Sequence, residues 1–170
     1  NDGSSAGGGI YNGACFGGTC SDAVLSLTNS TLSGNTAGTG GGVRNSGGSL
    51  TFNNCTVCTN TGVGGGFSSE NGTTTLKNSI IAYNQLQDHI TPSDCQGDLT
   101  SPSFTSLAYN IVSDGSAAAG LTGAHDLNAT NPQLAPLAAN GGPTKTHALN
   151  TGSPAIDAVP VASCTVNTDQ

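Results

Sequence analysis

Charge is what this sequence has least of. Lys and Arg number three and Asp and Glu ten among 170 residues, leaving a net charge of −7 at pH 7. So few basic groups exclude nucleic acid as a partner, because that binding runs on Lys and Arg displacing counterions from phosphate. A basic membrane-surface patch is excluded for the same reason. Met and Trp are absent and hydrophobic residues are only 34%, against roughly 45–50% apolar in an ordinary domain, a share that also counts Gly. A thick-cored, three-layer fold is therefore not expected. No apolar run approaches the ~20 residues that span a bilayer. With Asn at position 1 and no signal-peptide pattern, the chain reads as a processed or excised piece of a longer product.

What fills the sequence instead is Gly, Pro, Ser, Thr and Asn, together 91 of 170 residues. Such a composition raises disorder first, since little apolar surface is available to offset chain entropy. Disordered chains, however, are usually charge-rich and poor in β-branched residues. Here charge is scarce, and Val, Ile, Leu and Thr come in short alternating runs. The length suits one domain with a thin core. Six Cys, at 15, 20, 55, 58, 95 and 164, in so uncharged a chain fit an oxidising setting, extracellular or at a cell surface.

An internal repeat organises the first half. GGIYN at residues 8–12 returns as GGVRN at 41–45 and GGFSS at 65–69. A second block follows each: LSLTNSTLSGN at 25–35, LTFNNCTVCTN at 50–60 and TTLKNSIIAYN at 74–84. The offsets are 24 to 25 residues, except that the first unit holds about eight extra residues around Cys15 and Cys20. Apolar residues alternate with period two over three to five positions, a strand signal, and no stretch keeps a helical period. A unit of this size cannot bury its apolar side alone, but it can when stacked on its neighbours.

The expected fold is thus all-β: a right-handed, single-stranded parallel β-helix with about three regular coils and irregular C-terminal coils. It forms a single domain over residues 1–170, regular in 1–84, with irregular closing coils and loops in 85–170. Leu25, Leu27, Leu32, Leu50, Phe52, Val57, Leu76 and Ile81 are expected to point inward. Asn35, Asn60 and Asn84 recur at a bend, where Asn tolerates the left-handed conformation and amides one coil apart can form a ladder. A ligand groove is the other reading of those three, and their position at a turn favours the ladder. All seven Pro and all three His fall after Asn84. Strand-like pieces remain at residues 103–112, 133–137, 146–149 and 155–161, read as coils closing the C-terminal end.

These units resemble bacterial extracellular right-handed β-helix repeat proteins, similar in style to polymorphic outer-membrane adhesins. The tail, NGGPTKTHAL at 140–149 followed by GSPAIDA at 152–158, resembles the choice-of-anchor Q type C-terminal region. Asp94-Cys95, TSLAYNIVSD at 105–114 and the closing stretch from Cys164 fit the same pattern. The resemblance implies a secreted β-helix that precedes an anchoring signal, and no agreed enzymatic activity. Family members often carry a Cys in the stretch matching residues 115–120, where this chain has none, so Cys95 needs another partner. Six Cys allow fifteen pairings. Proximity and that departure favour Cys15–Cys20, Cys55–Cys58 and Cys95–Cys164, with bridges between neighbouring chains as the rival scheme.

Candidate chemistry is sparse. A redox role for Cys55-x-x-Cys58 is disfavoured because such thiols sit at a helix N-terminus, and the context here is a strand. His89, His125 and His147 lack the paired spacing of a zinc site. Asp88, Asp94, Asp98, Asp114 and Asp126 are read as solvated loop carboxylates, with calcium in the 88–126 loops as the weaker alternative. A glycosidase needs two carboxylates facing one groove. Glu70 is the only Glu, and Arg44, Lys77 and Lys145 are the only basic groups apart from His. Outward Thr28, Thr51 and Thr75 are expected to line up as an ice-binding row would, but Asn53 and Lys77 break the neighbouring row. Four glycosylation sequons, at Asn29, Asn54, Asn71 and Asn128, match chance, with Asn71 best placed for modification.

The first coil opens at once with Gly7-Gly8-Gly9-Ile10, leaving an uncovered edge that invites strand pairing. Preceding repeats or another subunit would fill it, and a head-to-tail contact does not close. The expected function is a non-catalytic extracellular structural or adhesive module, self-stacking into a surface filament. Its partners would be copies of itself and glycans, with no cofactor. The alternative is a polysaccharide-binding or polysaccharide-degrading β-helix protein.

Overall fold

The computed structural model describes residues 2–3, 7–13, 15–16, 19–20, 23–100, 103–164 and 166. Among these the regular structure is short strands. They run β1 (Asp2–Gly3), β2 (Ile10–Asn12), β3 (Cys15–Phe16), β4 (Thr19–Cys20), β5 (Val24–Thr28), β6 (Thr31–Ser33), β7 (Thr36–Thr39), β8 (Val43–Ser46), β9 (Ser49–Asn53) and β10 (Thr56–Cys58). They continue as β11 (Thr61–Val63), β12 (Phe67–Glu70), β13 (Thr73–Lys77), β14 (Ile80–Ala82), β15 (Cys95–Gly97), β16 (Phe104–Ala108), β17 (Ile111–Val112), β18 (Leu127–Asn128), β19 (Leu134–Ala139) and β20 (Lys145–Leu149). One 3-10 turn follows at Val161–Ser163, and no α-helix occurs among the described residues.

The fold is all-β and built on parallel pairing. Four open parallel sheets are ordered β16-β13-β9-β5, β18-β17-β14-β10-β6, β15-β12-β8-β2 and β1-β7-β11. From β5 onward the chain visits these sheets in one order, β5 to β8, then β9 to β12, laying each strand beside its counterpart from the previous pass. Leu25 pairs with Leu50 and Leu50 with Thr74, Leu27 with Phe52 and Phe52 with Leu76, Leu32 with Val57 and Val57 with Ile81. The period of 24 to 25 residues is therefore the register of the sheets.

Alternation sorts the side chains. In β9 and β13, Leu50, Phe52, Thr74 and Leu76 are buried while Ser49, Asn53, Thr73 and Lys77 are not. Val43, Val57, Phe67, Ile81, Phe104 and Val112 complete a narrow core. Phe52, Phe67 and Phe104 pack in series, with ring centroids 5.6 and 6.2 Å apart; such contacts add about 0.5–1.5 kcal/mol each beyond area burial. The repeated Gly-Gly pairs have a steric cause. A Cβ on Gly9, Gly42 or Gly66 would lie 2.5–2.7 Å from a carbonyl oxygen of the next pass, so only Gly lets the backbones stack there.

The two ends of the core differ. At the far end Leu99 and Ala117 are buried in the same cluster as Phe104, with Leu121 packed against it. Gly120 approaches so closely that a Cβ would sit 2.2 Å from the Phe104 ring. At the near end Ile10, Leu25 and Leu27 are only partly buried against the core, although their register partners Val43, Leu50 and Phe52 are 0–1% exposed.

The tail departs from expectation. Residues 133–137 and 146–149 fall largely within β19 and β20, but these pair antiparallel with each other and not with the stack. The hairpin folds back to β6, where Ser33 Oγ meets His147 Nε2 at 2.9 Å. Pro136 lies inside β19 at a register shift; without an N–H it cannot serve a continuous parallel ladder. Residues 155–161 form turns and no strand. The stretch 103–112 is two strands, β16 and β17, split at Tyr109 with φ 56.

The unequal ends give a test. Phe67→Ala should cost about 3–5 kcal/mol, and Leu25→Ala, at the uncovered end, less than about 2 kcal/mol. Urea unfolding of the two variants beside the parent protein measures both.

Candidate functional site

The most organised polar feature is a row of amides at one corner. Gly34, Thr59 and Tyr83 take positive φ (72, 57 and 56) and turn the chain into Asn35, Asn60 and Asn84. Asn35 donates its backbone N–H (2.9 Å) and its amide (3.0 Å) to Asn60 Oδ1. Asn60 does the same to Asn84 Oδ1, at 2.9 and 3.0 Å. The amides also reach back to carbonyls, Asn60 to Leu32 and Asn84 to Val57, each at 3.0 Å. Asn60 and Asn84 are fully buried, so each bond that goes unmade would strand a desolvated group at about 1–3 kcal/mol.

The row ends on Asp94. Its Oδ1 accepts the Asn84 N–H at 3.0 Å and the Asn84 amide at 2.9 Å. Its Oδ2 accepts Ser113 N–H (2.9 Å), Ser113 Oγ–H (2.6 Å) and Asp114 N–H (3.1 Å). Asp94 stands where Gly66 stands one pass earlier: Cys95 pairs with Phe67, and a Cβ on Gly66 would point at the Asn84 amide, 2.9 Å from its nitrogen. Placing Asp at that glycine position delivers a carboxylate where the next Asn would have come. That substitution was the available sequence signal, obscured because Asp94 lies only ten residues after Asn84. Asp94 is 0% exposed, not a solvated loop carboxylate. Burial pushes its carboxyl up to about 6; the Ser113 and Asn84 hydrogen bonds pull it down and the Asp114 charge adds to the rise.

A second row, not foreseen, follows the same plan. Cys55 N–H donates to Ser79 Oγ (3.1 Å), Ser79 N–H to Asn110 Oδ1 (2.9 Å), and Asn110 donates its N–H and amide to Asp126 Oδ1 at 2.8 and 3.1 Å. Ser106 Oγ–H donates to the other oxygen of Asp126. A third row joins Asn12 and Asn45 of the GGxxN segments to Ser69, at 2.8 and 3.2 Å. Thr74, which replaces an inward Leu, donates to the same Ser69 hydroxyl at 3.0 Å.

The cysteine expectations need correction. Cys55, Cys58, Cys95 and Cys164 are free thiols. Cys55 and Cys58 are three residues apart along extended chain, a span of about 10 Å, beyond the ~7 Å between Cα atoms that a disulfide tolerates. Cys55 Sγ instead donates to Leu27 O at 3.3 Å. Cys95 is buried in the core, whereas Cys164 is exposed beside Ser163, whose carbonyl accepts Asn78 Nδ2 on the outer flank. Burial, with Asp94 nearby, pushes the Cys58 thiol up to about 12 and that of Cys95 well above the ordinary value, which makes them poor nucleophiles. The side chains of Cys15 and Cys20 lie outside the described residues; their backbones pair in the β3–β4 hairpin.

Other expected positions scatter. The outward row beside Thr51 and Thr75 is Ser26 and Thr105, while Thr28 aligns with Asn53 and Lys77. Asn29, Asn54 and Asn71 sit at positive φ, with Asn71 exposed, and Asn128 lies in β18. Asp88 and Asp98 are held below the usual carboxylate range by hydrogen bonds from Thr91 and Thr100. Asp114 accepts Asp94 N–H and the Ser116 hydroxyl, and Glu70 pairs with Arg44 at 3.0 Å. His89 is exposed, and His125 stacks on Tyr109 at 5.0 Å. Among the described residues no three of His, Cys, Asp and Glu converge on a common point. Comparison with protein-family models, with curated proteins and with solved structures finds no match to the chain.

Asp94 sets a pH dependence. A folded value near 6 against about 3.9 unfolded favours the neutral form in the fold, so its contribution is complete below about pH 4 and is lost as pH rises through 6. Asp88 and Asp98 act oppositely and only at lower pH. Urea titrations should show stability falling between pH 4 and 7 by something on the order of 2–3 kcal/mol, and Asp94→Asn should flatten that slope.

Proposed function

We infer that the chain is a right-handed, single-stranded parallel β-helix and serves as an extracellular structural or adhesive module whose copies stack end to end. The observation that carries this reading is the unequal covering of the core. Ile10, Leu25 and Leu27 are left partly open, and β2, β5 and β6 each stand last in their sheet among the described residues. At the other end β15, β16 and β18 are likewise terminal. All of these strands run in parallel sheets, so a second copy would continue the same ladders with the same strand direction. An edge of this kind is a template for pairing, and joining two different edges produces an open filament. The right-handed winding follows from the handedness rule for parallel crossovers.

Two further features support a structural role for the stack. The Asp94 and Asp126 carboxylates are occupied by chain donors, and the one Glu is paired with Arg44. An outer surface of Ser, Thr and Asn with three basic side chains suits an extracellular setting. Glycan contact is the second reading, favoured by a polar groove of about 570 Å³ along Gly48, Ser49, Asn71, Thr73, Asp98 and Ser103.

Sedimentation velocity over a wide concentration series, with electron microscopy of the concentrated samples, tests the stacking. Growing linear assemblies are expected, and Val24→Lys, which charges the exposed edge, should return the protein to a folded monomer. A parent protein that stays monomeric throughout would overturn the reading.

A further inference from the structure

One side-chain cluster on the flank is not accounted for by the stack. The C-terminal hairpin brings His147 against Ser33, residues 114 positions apart, with Ser33 Oγ 2.9 Å from His147 Nε2. On the other side of the ring, Nδ1 is 2.8 Å from Ala135 O. A carbonyl only accepts, so Nδ1 carries the proton; in the neutral imidazole Nε2 then has only a lone pair to offer, and the Ser33 hydroxyl must be the donor. Nucleophile, base and orienting acceptor are thereby arranged as acyl transfer requires, with a backbone carbonyl in the orienting place.

The surroundings fit the same chemistry. Ser33 is the last residue of β6, half-buried, and is followed by Gly34, which has no side chain to crowd the hydroxyl. The Thr59 hydroxyl lies between Ser33 Oγ at 2.9 Å and its acceptor Cys58 O at 2.7 Å, a second polar group at the same oxygen. Thr59 is β-branched yet held at φ 57, a strained conformation for such a residue. Beside His147 a groove of about 310 Å³ opens between the hairpin and the sheet. Asn29, Asn54, Asn140 and Thr56 line it over Ile80 and Leu149, with no carboxylate, Lys or Arg among its lining residues. That lining suits an uncharged substrate.

We propose that Ser33 and His147 form a nucleophile–base pair that cleaves short-chain carboxylic esters of uncharged alcohols. Ser33 Oγ bonds to the ester carbonyl carbon as its proton passes to His147 Nε2. The carbon–alkoxy bond then breaks, and the same proton leaves with the alcohol. Water, deprotonated by His147, attacks the acyl-serine and releases the carboxylic acid, restoring Ser33. This activity is additional to the stacking role and independent of it.

The test uses a fluorophosphonate probe and p-nitrophenyl acetate on the full chain, with peptide mapping of any adduct. The expected result is one adduct per chain, on Ser33, together with slow acetate release. Ser33→Ala should abolish both. His147→Gln keeps an amide able to bond both Ser33 and Ala135 O, so the hairpin stays docked, which circular dichroism and urea unfolding verify; it should lower labelling at least tenfold. A folded parent chain that is not labelled at Ser33, or a folded His147→Gln variant labelled as fast as the parent, would overturn the proposal.

Discussion

Two donors of each corner asparagine converge on a single oxygen of the next, and this exchange governs the register of the whole stack. Because Asn60 and Asn84 are completely buried, a slip of one residue would remove two satisfied donors per pass and turn every inward apolar side chain outward. The amide row and the aliphatic rows therefore enforce the same alignment from opposite requirements, one polar and one apolar. A chain with only a few apolar side chains per pass needs that second constraint. Its core is narrow, and hydrophobic burial alone would specify register weakly.

The glycines serve the same constraint. Backbones of successive passes come close enough at Gly9, Gly42 and Gly66 that a methyl group would strike a carbonyl oxygen. The vacated volume is where the asparagine amide sits. When the repeat stops, Asp94 takes over the glycine position and its carboxylate takes over the amide's partner role. Asp126 ends the second row in the same manner. Both carboxylates thus terminate a polar row that would otherwise end in unsatisfied donors, and burial of Asp94 ties the terminus to pH. On the apolar side, Leu99, Ala117 and Leu121 cover the far end of the core, while Ile10, Leu25 and Leu27 remain open at the other. The proposed assembly rests on this asymmetry more than on any single residue.

Much of the stack was legible in the sequence because its information is periodic. Leu27, Phe52 and Leu76, and Leu32, Val57 and Ile81, are spaced by one pass and are register partners. The rows that end on Asp94 and Asp126 were not legible. Their last members break the period, and a carboxylate in a loop-rich stretch looks the same in sequence whether it is solvated or buried under five donors. Cysteine pairing failed for a geometric reason: closeness in sequence along an extended strand means separation in space, so Cys55 and Cys58 cannot meet. The Thr28 row failed by two residues, since pairing places Ser26 beside Thr51.

The tail shows the division between sequence and tertiary structure. Sequence by itself determined the strand character, the length of a pass, the inward set and the corner asparagines, because each follows from local alternation and from a repeat that stacks on itself. Only the tertiary structure decided that the last strands leave the stack, pair with each other and lie along β6. That outcome depends on contacts between segments more than one hundred residues apart, such as Ser33 with His147, for which no local pattern exists. A repeating segment meets its own copy at a fixed distance along the chain. A segment that occurs once finds its place only through the shape and hydrogen-bonding capacity of the surface already formed.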